Sequence, residues 1–275
     1  MTIPPPPTER RLGDLMIAIK GAGEMASAIA WRLHRGRFGR VYLMELAQPK
    51  AVRRRVAFSE AVYQGSQRVE DVTAVCVGDP ASLDEVWRDG RIGLLIDPEW
   101  ASIGIRRPDV LVDAILAKQN LGTRRDEAPF VIALGPGFTA GIDAHVVVGT
   151  NRGHNLGRVY MTGADEPYTG VPGEVGGYTV ERVIRAPCDG VFSTALDIGT
   201  CVREGDAIGA VGGQPLRAGI DGIMRGLLRS GTTVRSGAKI GDIDPRGEPV
   251  YCETISDKAR AIAGSVLEAI LWRFN

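Results

Sequence analysis

The chain has 275 residues, and at about 150 residues per domain that length suggests two domains. Its 44% hydrophobic and 24% charged residues exclude a disordered or fibrous protein. Lys+Arg and Asp+Glu both number 33, a formal net charge of zero, so no global electrostatic drive toward nucleic acid or a membrane surface exists. No apolar run approaches the roughly 18 residues that span a bilayer, and no signal-peptide core is present. A cytoplasmic protein with neither a membrane nor a nucleic-acid partner is expected. Cys76, Cys188, Cys201 and Cys252 form no C-x-x-C pair. With only His34, His145 and His154 beside them, neither a disulfide framework nor a metal site is indicated.

In chain order, residues 1–14 carry the Pro4–Pro7 run and read as a disordered tail. Leu15–Lys20 reads as a buried strand, Gly21-Ala22-Gly23 as a turn, Glu24–Arg35 as a helix and Arg40–Glu45 as a second, parallel strand. Further strands are predicted at Val72–Val77, Ile92–Asp97, Val110–Ala114 and Phe130–Leu134, with a helix near Ala81–Arg88. This order predicts an α/β domain over 15–181 with a Rossmann-like, doubly wound sheet. Residues 135–177 hold eleven glycines and should be turns and backbone-lined surface.

An internal repeat follows at an offset of 32 residues, with twelve identities between 185–211 and 217–243. Each copy reads D-G…G-T-x-V-R-x-G-x-x-I-G, short strands punctuated by glycine turns. The two copies resemble the barrel-sandwich fold of biotinyl and lipoyl carriers, so 182–250 is expected to be an inserted all-β domain of that type. The carrier role itself is not expected, because the connecting stretch Val211–Leu216 has no lysine to modify. A C-terminal helix over 251–275, apolar at Ile262, Val266, Ile270 and Phe274, should pack back on the first domain.

Several groups carry chemistry. Gly21-x-Gly23-x-x-Ala26 opens a helix after a strand, and Glu45 ends the next strand, 24 residues past Gly21. Glycines let a pyrophosphate approach the backbone, the helix N-terminus attracts it, and the acid can take ribose hydroxyls. NAD or another dinucleotide is therefore the expected cofactor. Glu24 would repel a phosphate unless it turns away or a cation intervenes. Arg53-Arg54-Arg55 are either a grip on a phosphate or a partner's acidic group, or a solvated helix face. Asp113 and Lys118 are either catalytic or an ion pair. Gly135, Gly137, Arg152 and His154 belong to loops expected at the same carboxyl edge, with His154 the general acid/base candidate by type. Cys252, read as preceding a helix, is a candidate thiolate.

The segments IKGAGEMAS (19–27), RRVAFSEAVYQG (54–65), LGPGFTAGIDAHVVVGTNRGHNLGRV (134–159), APCDGVF (186–192), IDGIMRGL (220–227), KIGDIDPR (239–246) and ISDKARAIAGSVLEAIL (255–271) together resemble the accessory protein of the selenium-dependent molybdenum hydroxylase system. Two departures are Glu24, where aspartate is expected, and Gly149, where a glutamate is expected. The resemblance implies a maturation role, with a molybdenum hydroxylase or its maturation machinery as partner. It also brings molybdopterin cytosine dinucleotide among the ligands and leaves room for a homo-oligomer. The alternatives are an NAD-dependent oxidoreductase and a non-enzymatic assembly scaffold.

Overall fold

The computed structural model describes residues 11–275. The expected tail lies outside them except for its last residues, where Leu12–Asp14 form a 3-10 turn. The chain divides into two units. The larger comprises the described residues up to Pro49, Phe58–Tyr168 and Ile255–Asn275, and the smaller comprises Lys50–Ala57 and Thr169–Thr254.

In the larger unit, β1 (Met16–Lys20) leads through Gly21–Gly23 into α1 (Glu24–Arg35) and β2 (Arg40–Glu45). There follow α2 (Ala61–Gln64), β3 (Ser66–Val69), β4 (Val72–Val77), α3 (Leu83–Arg88), β5 (Ile92–Ile96), α4 (Ala101–Arg106), β6 (Val110–Asp113), β7 (Phe130–Leu134), β8 (Thr139–Ala140), β9 (Val146–Val148), β10 (Val159–Tyr160) and β11 (Gly163–Ala164). Nine strands form one sheet in the order β10-β9-β7-β6-β1-β2-β5-β4-β3. The central strands pair in parallel, whereas β3 and β10 run antiparallel at the edges. Ile17–Ile19 and Val110–Val112 are fully buried, as expected of parallel strands covered on both faces.

The doubly wound expectation is corrected by this topology. A dinucleotide sheet runs 3-2-1-4-5-6 with helical crossovers. Here β5 lies between β2 and β4, both edges are antiparallel, and neither β6 to β7 nor β7 to β9 is joined by an α-helix. The sheet is mixed, and its last two parallel connections, β6 to β7 and β7 to β9, are loops.

The smaller unit holds β12 (Val183–Arg185), β13 (Gly190–Ser193), β14 (Cys201–Val202), β15 (Ala207–Val211), β16 (Gln214–Arg217), β17 (Gly222–Leu227), β18 (Thr233–Val234), β19 (Lys239–Asp244) and α5 (Val250–Glu253). Its two antiparallel sheets are β12-β19-β17-β14 and β16-β15-β13-β18. The 32-residue repeat maps β12–β15 onto β16–β19 in turn, and replacing each strand by its counterpart converts one sheet order into the other. Each sheet takes two strands from each copy, so neither copy could close its sheet alone. Counterparts Ile184/Leu216, Phe192/Met224, Val202/Val234, Ile208/Ile240 and Val211/Ile243 fill one core.

Segment 50–57 joins this unit through main-chain and arginine bonds. Val52 accepts from the Leu227 N–H at 2.8 Å, and buried Arg53 donates to the carbonyls of Tyr251 and Thr254. Arg54 donates to the Leu227 carbonyl and Asp197, while Arg55 bridges Asp197 and Glu253. The arginine triplet is thus neither a phosphate grip nor a solvated face. It fastens a strap. The chain returns to the larger unit as α6 (Asp257–Phe274), whose N-cap Ser256 accepts from Ala259 N–H and which packs along α1. Among the described residues no helix is long and apolar enough to cross a membrane.

Candidate functional site

Parallel strands bring Gly21, Glu45, Asp113, Gly135 and Thr150 to one carboxyl edge of the large sheet. The glycine loop there is tightly specified. Gly21 has φ +90 and accepts only a residue tolerant of the left-handed region. The Ala22 N–H donates to Glu45 Oε2 at 2.9 Å, and the Leu46 N–H to Oε1 at 2.8 Å. Glu45 therefore braces the loop through Oε2 while Oε1 is held by its own chain neighbour, and burial pushes its carboxyl pKa up. The Ala22 carbonyl accepts from Ser27 Oγ at 3.0 Å and from the Ser59 N–H at 2.9 Å. In a trans peptide C=O and N–H point opposite ways, so this anchoring turns the Gly23 N–H outward. The ideal Cβ position at Gly23 meets nothing within 4 Å. Among the described residues no acceptor meets the N–H of Gly23, Met25 or Ala26. Ala26 itself is fully buried, the small residue that lets α1 pack against the sheet.

Cations gather beside this helix N-terminus. Lys258, in the first turn of α6, lies within electrostatic reach of Lys118, Arg152, Glu24 and Asp165. Burial first, then Lys118 and Arg152, bring its pKa down to about 8, against the pull of Glu24 and Asp165. Lys118 sits 5.0 Å from the Tyr168 ring centroid. Its pKa is lowered by desolvation and supported by Asp165. Arg152 is held by both oxygens of Asp257, at 2.6 and 2.8 Å. Asp165 is itself fixed by the N–H groups of Thr150 and Glu166. The cation that relieves Glu24 beside an anion is thus present in the chain.

The other candidates have other partners. Asp113 does not pair with Lys118. It accepts from Thr123 Oγ1 at 2.7 Å and from Ile115 N–H at 3.2 Å, and burial raises its pKa. Its charged neighbour is Lys20, fully buried at the end of β1, which donates to Thr123 at 2.7 Å and to Glu127. Gly137 is required by packing, since a Cβ there would lie 2.5 Å from Gln119 Cα; at Gly135 a Cβ would meet Thr150 Oγ1 at 2.5 Å. His154 is exposed and makes no side-chain hydrogen bond among the described residues. Cys252 lies within α5, buried in the smaller unit's core, and burial pushes its thiol pKa up. A thiolate role there is corrected. Lys20, Lys258, Asp165 and Ser59 were not foreseen. For the first, the only local trace is a lysine closing the apolar strand MIAIK in a chain with five lysines, and it does not name the partner.

No protein-family model matches the chain. The Escherichia coli (strain K12) protein described as uncharacterized protein YqeB is 47% identical over 259 residues, which are 94% of this chain and 48% of that one. The chain thus spans about half the length of the curated relative it matches. Among solved structures, an aspartoacylase family protein of Mesorhizobium loti is 11% identical with a TM-score of 0.23, over 74% of this chain and 56% of that chain. The succinylglutamate desuccinylase/aspartoacylase of Rhodobacter sphaeroides is 17% identical with a TM-score of 0.26, over 84% and 85%. The ectoine utilization protein EutE of Ruegeria pomeroyi is 15% identical with a TM-score of 0.23, over 84% and 57%.

These findings overturn two expectations. The similar proteins are an uncharacterized protein and aspartoacylase-type proteins. A role in maturing selenium-dependent molybdenum hydroxylases, with its oxidoreductase and scaffold alternatives, is not sustained. The Rossmann-like domain with a biotinyl/lipoyl-like barrel-sandwich insertion gives way, as a fold assignment, to the topology described above. TM-scores this low carry no activity across from the neighbours either.

Proposed function

We propose that the larger unit binds a small molecule bearing a phosphate or diphosphate group, of which a dinucleotide is one form, at the first turn of α1. The observation that carries the reading is Lys258. Its ammonium stands among like charges, Lys118 and Arg152, and has no hydrogen-bond acceptor among the described residues. Arg152 is neutralised by Asp257, so the ammonium groups of Lys258 and Lys118, which meet no hydrogen-bond acceptor among the described residues, are the partners left for an anion. The dipole of α1, whose first residue Glu24 lies within electrostatic reach of Lys258, adds to their pull. The outward Gly23 N–H and the open space beside it give an anion room to approach the backbone. Glu45 takes the Ala22 N–H of the loop, so it shapes the site in addition to any contact with a ribose.

Titration calorimetry with inorganic pyrophosphate and with NAD tests the reading. Saturable binding is expected, weakened about tenfold or more by Lys258→Met, in line with roughly 1.5–3 kcal/mol for hydrogen bonds to charged groups. Absence of saturable binding by both probes, or an affinity indifferent to Lys258→Met, overturns it.

A further inference from the structure

A second site lies in the larger unit; its lining includes none of residues 21–26, and it is independent of the reading above. A groove of about 890 Å³ runs between α4 and the turn at 124–129, within the size of small-molecule sites at roughly 300–1,000 Å³. Both ends of α4 are held in a backbone region that bulky side chains rarely adopt. Trp100 has φ +57 and Arg107 has φ +50, and both line the groove. At the first end Asp97 takes the capping work, accepting the N–H groups of Ala101 and Ser102 at 2.9 and 2.8 Å, which leaves Trp100 in the left-handed turn. Such strain in a non-glycine residue points toward function.

The charges across the groove are unequal in their engagement. Glu127 is committed to Lys20 and Asp126 to Arg124. Arg107 is exposed and meets no carboxylate among the described residues. The remaining walls are apolar, with Ile103, Pro108, Ala128 and Pro129. The Lys20 ammonium lies 3.8 Å from the Trp100 ring centroid and locks the indole plane in place.

We infer that this groove binds a flat aromatic or heteroaromatic acid carrying one negative charge. The carboxylate pairs with the Arg107 guanidinium, whose planar fork matches it. The ring lies along Trp100 and the two prolines. With Glu127 matched by Lys20 and Asp126 by Arg124, Arg107 supplies the one unmatched charge of the lining, so a single negative charge is the complement of the groove.

The test uses the full chain and two probes, 2-naphthoate and the neutral 2-naphthalenemethanol, followed by the indole N–H signals of the four tryptophans. The naphthoate is expected to bind saturably, to shift the Trp100 signal first, and to bind at least tenfold more tightly than the alcohol. Arg107→Ala should remove that preference while leaving the alcohol's affinity unchanged. Gly104→Glu, placed where a Cβ meets nothing within 4 Å, should abolish naphthoate binding with the fold intact by circular dichroism. Equal affinity for acid and alcohol, insensitivity to Arg107→Ala, or a first shift at another tryptophan each overturns the proposal.

Discussion

The ammonium of Lys20 donates to both carboxylate oxygens of Glu127, at 3.0 and 2.9 Å, from a position with no solvent exposure at all. Burial lowers the lysine's pKa, and Glu127 and Asp113 act against that shift. The pair, with Thr123 between Lys20 and Asp113, fixes the end of β1 just before Gly21. Removing one partner strands a buried charge, which costs about 3–5 kcal/mol. Glu127→Ala is therefore expected to lose that much in urea denaturation. Lys20→Met combined with Glu127→Leu should recover part of it, because the two charges leave together while Asp113 keeps its bonds from Thr123 and Ile115. A double variant as unstable as Glu127→Ala alone would contradict the account.

Lys258 makes anion binding depend on pH. In the free protein its pKa is about 8, so the amine is charged below that and neutral above it. A bound anion favours the charged form and raises the pKa, so binding near pH 8 takes up protons, up to about half a proton. Pyrophosphate calorimetry at pH 8 in two buffers of different ionisation enthalpy should show this uptake, and affinity should fall as pH rises beyond 8. Stability of the free protein moves the other way. The unfolded amine titrates near 10.5, so between pH 8 and 10.5 the unfolded chain holds more protons and folding gains as pH rises. Lys258→Met should flatten both dependences.

His145 sets an acid limit. Its Nδ1 accepts the Val131 N–H at 2.9 Å, and burial, then Arg125 and Arg273, lower its pKa to about 4. Between pH 6.5 and 4 the unfolded imidazole is protonated while the folded one stays neutral, so stability is lost as pH falls through that window. For a half-buried group the loss is about 1–2 kcal/mol after allowance for solvent screening. His145→Asn keeps an acceptor near the Nδ1 position without a titrating group. It should retain neutral-pH stability and lose that part of the acid slope, read from urea midpoints at pH 7 and 4.5.

The legible parts of the sequence are those written in local pattern. The apolar run Met16–Ile19, the glycines after it and the helix period of α1 announce one another over twenty residues. The repeat spaces its buried counterparts 32 residues apart, and identity alone exposes it. Strand order was not legible, because nothing local says that β5 inserts between β2 and β4. The strap at 50–57 was also hidden: its contribution to the smaller unit rests on arginines reaching carbonyls nearly two hundred residues away, which leaves no period to read. The site shares that difficulty. Gly21, Gly23 and Glu45 carry a motif, whereas Lys20 finds Glu127 107 residues on, and Lys258 reaches Lys118 and Arg152 from the last helix. Charge pairing across such separations has no sequence signature.

Two glycines at the same sheet edge separate a binding requirement from a packing one. Gly23 has φ −69, which any residue adopts, and its Cβ direction is open. Gly23→Ala should therefore fold, at the modest cost of an alanine in an N-cap, about 0.5–1 kcal/mol. The added methyl occupies the space beside the outward N–H, so pyrophosphate affinity is expected to drop about tenfold, or roughly 1.4 kcal/mol. Gly137 is the opposite case. Its φ of +102 and a Cβ position 2.5 Å from Gln119 Cα, with the Gln119 carbonyl carbon and nitrogen both at 2.9 Å, leave no flexible atom to move aside. Gly137→Ala should cost at least about 2 kcal/mol from strain and overlap, seen as a lower urea midpoint with or without pyrophosphate. A Gly23→Ala protein that binds pyrophosphate as tightly as the parent chain would remove the loop from the site, whatever the behaviour of Gly137.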